Sequence, residues 1–157
     1  MLHAQLIEEL NHTEKFFNTT IAPLAAADGA FRPAADMYTV TSHLHHVATS
    51  ITWFIDGAFR RDDGFAMNFE DHIVESHQTS DFAAAKDMVR LAFADAREII
   101  GQQSDEQLLA PLPAGPIMGG APKLAVVSGI ADHTAHHRGA LSVYARLLGK
   151  VSPMPYA

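Results

Sequence analysis

The sequence predicts an all-α protein, a bundle of four helices. Three observations predict it. Apolar residues recur at three- and four-residue spacing along four long stretches, as on the buried face of an amphipathic helix. No segment shows the two-residue alternation of a half-buried strand. Capping side chains, glycines and prolines punctuate the ends of the stretches, where helices start and stop.

The first helix is expected from about Leu2 to Ala27. Leu6, Leu10, Thr13, Phe17 and Ile21 share one face, and Asp28-Gly29 marks the end. Pro23 bends or interrupts its last turn, because proline lacks the amide proton a helix needs. The second is expected from about Pro33 to Phe59, with Val40, Leu44, Val47, Ile51, Phe54, Ile55 and Ala58 as its stripe. The charged run from Arg60 to Gly64 breaks it. The third runs from about Asp81 to Ile100. Ser80 or Asp81 is its N-cap, Phe82, Ala85, Val89, Ala92, Phe93, Ala96 and Ile100 its apolar face, and Gly101 its C-cap. The fourth runs from about Pro122, well suited to a first turn, to Leu148, with Gly149 after it and Pro153 beyond. Two long connections remain, Arg60 to Thr79 and Gln102 to Ala121. Connections of that length in a small domain often line a site.

The 157 residues suit one domain spanning residues 1–157. With 48% apolar and 18% charged residues, disorder is excluded. There are 11 Lys+Arg against 18 Asp+Glu, a net charge of −7. That balance argues against nucleic acid or an anionic membrane as partner. The N-terminal stretch carries Glu8, Glu9 and Glu14 rather than a basic segment and an apolar run, so no signal peptide is expected. No apolar run is long enough to span a bilayer, and a soluble cytoplasmic protein is the expectation. There is no cysteine, which rules out disulfides, thiolate metal sites and a cysteine nucleophile. Any metal must be held by histidine and carboxylate.

Histidine is abundant, at 10 of 157 residues. Six fall in two clusters, His43, His45 and His46 in the second helix and His133, His136 and His137 in the fourth. Each helical residue turns by about 100°, so His133 and His137 differ by only about 40°. Both lie in the stripe of Val126, Ile130, Ala140, Leu141, Tyr144 and Leu148. Two imidazoles one turn apart on a buried face are the means by which one helix offers two ligands to one metal ion. His136 points to the flank. On the second helix, His43 lies nearer the stripe's centre than His46, and His45 points well away. Periodicity therefore favours His43 as a third ligand and leaves His46 at the stripe's edge, beside Trp53 and Gly57. His3, His12, His72 and His77 read as surface or loop residues, although His72 or His77 can approach a site from the long connection.

The segment from Asp132 to Pro155, DHTAHHRGALSVYARLLGKVSPMP, resembles the C-terminal helix of the DinB-like family. His133, His137, Arg138, Gly139, Arg146, Gly149 and Pro153 carry the likeness. His46-Val47 and Trp53 match the family's histidine, aliphatic residue and later aromatic on the second helix. The resemblance implies an antiparallel four-helix bundle in which His46, His133 and His137 hold a metal, so it selects His46 over His43. It also implies a homodimer. Arg138 is read as a structural or rim residue, and Trp53 as pocket wall or core.

Three neutral imidazoles leave a divalent ion at least one open position. Zinc and nickel both suit such ligands. Ligand histidines need an acceptor on the second ring nitrogen, and Asp132, Asp56 and Glu70 are the candidates. The family is similar to thiol-dependent S-transferases, which implies a small-molecule thiol and an electrophilic substrate as partners. The alternatives are a hydrolase using the same site, a non-catalytic metal-binding stress protein, and a metal-free bundle with histidines bonded in its core. A filled fourth position and no pocket would mark the non-catalytic protein. No catalytic residue is assigned.

Overall fold

The computed structural model describes residues 1–156, all of the expected domain but its last residue. Six α-helices follow in order: α1 Leu2–Ile21, α2 Val40–Ile55, α3 Phe69–Gln78, α4 Phe82–Gly101, α5 Asp105–Leu109 and α6 Ala125–Leu147. There is no strand among the described residues, only an isolated bridge between Pro111 and Pro122. The four long helices are those expected, and α3 and α5 are additions within the two connections.

The ends differ from expectation for local reasons. α1 stops at Ile21, two residues before Pro23, and the chain continues into a short 3₁₀ turn, Ala26–Asp28. The Asp28 carboxylate accepts from the Ala25 amide at 2.7 Å and pairs with Lys150, which fastens this turn to the end of α6. α2 begins at Val40 and not at Pro33. Thr39 caps it, its hydroxyl accepting from the Ser42 amide at 3.0 Å. Only from Val40 onward does the apolar stripe have a core to enter. α2 ends in a π-helical turn, Asp56–Arg60, where the continuous helix to Phe59 was expected. Asp81 is the N-cap of α4, accepting from the Ala84 amide at 2.9 Å. Gly101 is the last residue of α4 and not its cap. α6 starts at Ala125, three residues after Pro122. Gly149 has φ +74°, the left-handed C′ geometry that glycine favours.

α2 packs on α4, α6 and α3, while α1 packs on α6 and α4. One core joins them, with Leu10, Phe17, Leu44, Ile51, Phe93, Ile130 and Leu141 at its centre. Burying each such side chain contributes about 1.5–3 kcal/mol. A smaller cluster of Ala58, Leu112 and Val126 seats the second connection. α3 lies over α2, and Glu70 and Asp71 in its first turn suit the positive end of its dipole. Ser76 is its buried residue, whereas Phe69, Ile73 and Val74 stay exposed. A helix with so little buried apolar surface leaves a faint periodic signal, which is why the sequence reads as a loop there. Among the described residues no helix is long and apolar enough to cross a membrane.

Candidate metal centre

α6 presents His133 and His137 on successive turns, with their Nε2 atoms 3.3 Å apart. α2 brings His46 to them, its ring centroid 5.1 Å from that of His133 and 4.8 Å from that of His137. One nitrogen from each of the three lies within 4.8 Å of the others. Imidazole nitrogens about 2.0–2.1 Å from a four-coordinate ion stand roughly 3.4 Å from one another, so the His133–His137 spacing fits a shared ion. The donor set fits as well. His46 Nδ1 is buried with no hydrogen-bond partner, an unusual cost for a buried polar atom.

Electrostatics prepare the rings for this use. A ligand imidazole must be neutral. Burial, reinforced by the neighbouring imidazoles, pulls His46 down to about 4 and His137 to about 2 from the ordinary 6.5. Burial also lowers His133, with His136 adding to the shift and Asp132 opposing it. All three therefore offer lone pairs at neutral pH.

His43 lies in the bundle interior, as its angular position requires, but it does not join the close triad. Its Nδ1 is 2.9 Å from His137 Nδ1, and both rings are buried. For His137 to offer Nε2 as a lone pair, its Nδ1 must carry the proton and donate to His43. His43 is itself lowered to about 4, chiefly by burial, so it stays neutral and can accept. An acceptor in this place would hold a ligand His137 from behind, the role expected of Asp132, Asp56 or Glu70. None of those three hydrogen-bonds the triad, and Asp56 is held by Arg60 at 2.8 Å. The helix angle thus finds a buried residue that touches the triad but does not join it, because a residue at the stripe's middle is driven behind His137 and the open edge falls to His46. Replacing His43 by leucine is expected to weaken zinc binding about 10–100-fold with the helical fold retained. A competition titration giving unchanged affinity would remove His43 from the centre.

His45 does turn away from the main core, yet it is buried beneath α3. Its Nδ1 is 3.0 Å from Ser76 Oγ and its Nε2 is 3.7 Å from Glu75, so it anchors α3. His136 is exposed and meets the His137 ring edge-on at 4.9 Å. His77 is exposed on α3, while His72 lines a cavity beside Trp53 and Phe69. His12 is an exposed residue beside Glu8, and His3 is partly buried. Arg138 lies over the rings of Phe16 and Tyr156 at 5.7 and 5.6 Å, a structural setting. Tyr38 was not singled out from the sequence. It precedes α2 in an irregular segment with no period to expose it, yet its ring packs 5.2 Å from His46 and 5.4 Å from His43.

A cavity of about 350 Å³ opens on His46 and His133, walled by Trp53, Phe54, Phe69 and Ile73. Trp53 is pocket wall, its indole N–H donating to the Ala66 carbonyl at 2.7 Å. A larger cavity, about 560 Å³, lies beyond Thr49, Trp53 and His72. It touches none of the three converging histidines, so the smaller one is the space that belongs to the centre.

A helical bundle with three neutral imidazoles converging beside a cavity defines a class, helical proteins with a histidine site able to hold a divalent metal. This chain belongs to the DinB family, whose family model matches residues 1–157. No curated protein matches the chain.

Proposed function

We propose that this DinB-family protein is a metal-dependent enzyme that holds one zinc or nickel ion through His46, His133 and His137 and joins a low-molecular-weight thiol to an electrophilic substrate. The observation that carries this reading is the cavity of about 350 Å³ beside His46 and His133. A structural site is usually closed by a fourth protein ligand; here space suited to a small molecule adjoins the imidazoles instead. When bound, a divalent ion lowers the pKa of a thiol or water in its open position.

The chain's own residues do the rest. His43 orients His137 through the 2.9 Å contact between their Nδ1 atoms. Trp53, Phe54 and Phe69 wall the reacting space with apolar rings and limit water there. With no cysteine in the chain, the nucleophilic sulfur must arrive with the cosubstrate. In the reaction the thiol gives its proton to solvent, its sulfur forms the C–S bond with the electrophilic carbon, and the leaving group departs from that carbon with the bonding pair.

The test uses protein purified without a histidine tag. Calorimetry with zinc or nickel is expected to give one ion per chain. The loaded protein is expected to conjugate glutathione or cysteine to a chlorodinitrobenzene, to stop with chelator and to recover on resupply of metal. One bound ion without conjugation of any cellular thiol would leave a sequestering protein and overturn the transferase. No bound ion would overturn both.

A further inference from the structure

We infer that the cavity beside the three histidines is a binding compartment for an uncharged aromatic or branched aliphatic group of the substrate. This rests on the proposed reading of the histidines as a reactive centre, and it adds the substrate's chemical class.

The wall is made of rings. Trp53 packs on Phe54 at 5.0 Å and on Phe69 at 5.7 Å, and Phe65 backs it at 4.7 Å. Two glycines set the ring positions. A Cβ at Gly57 would come within 2.2 Å of the Phe65 ring, and one at Gly129 within 3.0 Å of the Phe54 ring. The backbone therefore leaves room for the aromatic wall where larger residues would displace it.

The cavity also withholds charge. Among the described residues no Asp, Glu, Lys or Arg lines it. The Thr49 hydroxyl is already donated to the carbonyls of His45 and His46 at 3.1 and 3.2 Å. Phe69 and Ile73 of α3 are 41% and 44% exposed along this space. A ligand ring that covered them would regain the free energy lost by leaving them in water. The volume of about 350 Å³ lies near the lower end of small-molecule sites, roughly 300–1,000 Å³, and suits one or two rings. Beyond the sill of Thr49, Trp53 and His72, the neighbouring cavity is lined by Asp56, Arg61, Glu75 and Asp95; Arg60 pairs with both Asp56 and Asp95, and Arg61 with Asp63. A carboxylate extending that way would meet Glu75 and arginines already engaged by Asp56, Asp95 and Asp63, so an anionic ligand is disfavoured.

Trp53 is the only tryptophan, and its fluorescence reports on this wall. Metal-free protein is titrated with para-nitrobenzyl alcohol and with para-nitrobenzoate, which share the ring and differ in charge. The alcohol is expected to quench saturably and to bind at least tenfold more tightly than the benzoate. Ile73→Asp, at an exposed position, is expected to weaken the alcohol at least tenfold without changing the thermal midpoint. Absence of saturable quenching, equal affinity for the two probes, or an unaffected Ile73→Asp variant would overturn the inference. So would quenching that follows protein concentration in place of probe, which would assign the cavity to a second copy of the chain. Since no metal is present, failure here is distinct from failure of the metal titration.

Discussion

Replacing His137 by alanine is expected to lower zinc affinity by about 60- to 700-fold. Four-ligand zinc sites bind with about 10–16 kcal/mol, so one ligand accounts for roughly 2.5–4 kcal/mol, and each 1.4 kcal/mol is about tenfold. His137 is the most connected of the three, with Nε2 3.3 Å from His133 and Nδ1 2.9 Å from His43. Its loss also leaves the buried His43 without that partner, an added cost of about 1–3 kcal/mol to the fold. His133→Ala separates the two effects. His133 is only half-buried and does not share the His43 contact, so its removal is expected to abolish tight binding with smaller loss of stability. Competition with a chromogenic chelator measures affinity, and circular dichroism checks the fold. Wild-type affinity in the folded His133→Ala variant would sink the proposed ligand set.

Metal-free protein is expected to lose stability steeply as pH falls from about 6.5 towards 4. His43 and His46 are held near 4 by burial and by neighbouring imidazoles, below the ordinary 6.5 that they regain on unfolding. The sign follows from linkage. Below pH 6.5 the unfolded chain takes up protons that the folded site refuses, so stability rises with pH in this window. Above 6.5 both states are neutral and the effect vanishes. A shift from 6.5 to about 4 corresponds to roughly 3 kcal/mol per imidazole at about 1.4 kcal/mol per unit. Against a typical folding stability of about 5–15 kcal/mol, this is a large share. Urea denaturation of the metal-free protein at pH 7.5, 6, 5 and 4 reads it directly. A flat midpoint from 7.5 to 4 would show that these imidazoles are not buried as described. Zinc at 100 times its dissociation constant is expected to add about 2.7 kcal/mol at neutral pH.

Much of the architecture was legible because it depends on local pattern. The stripe from Val40 to Ile55 and the one from Phe82 to Ile100 are core faces in the structure, and hydrophobic burial rewards that spacing wherever the helix docks. The i, i+4 pair His133 and His137 was legible for the same reason, since helix geometry alone brings their rings together. α3 was not legible. Ser76 is its buried residue, and its place over α2 rests on contacts such as Ser76 with His45, 31 positions away in the chain. Tyr38, in an irregular segment, left no period at all.

The sequence by itself determined an all-α chain, the stretches that become long helices, and the neighbouring imidazoles on α6. The tertiary structure decided which α2 histidine stands beside them, what supports them and where the space for a ligand lies. Periodicity measures the angle of a side chain about its own helix axis. It does not measure depth along the line between two helices. His43 and His46 are three residues apart on one helix, yet one packs behind His137 and the other lines the cavity. That difference is set by how α2, α3 and α6 close around each other.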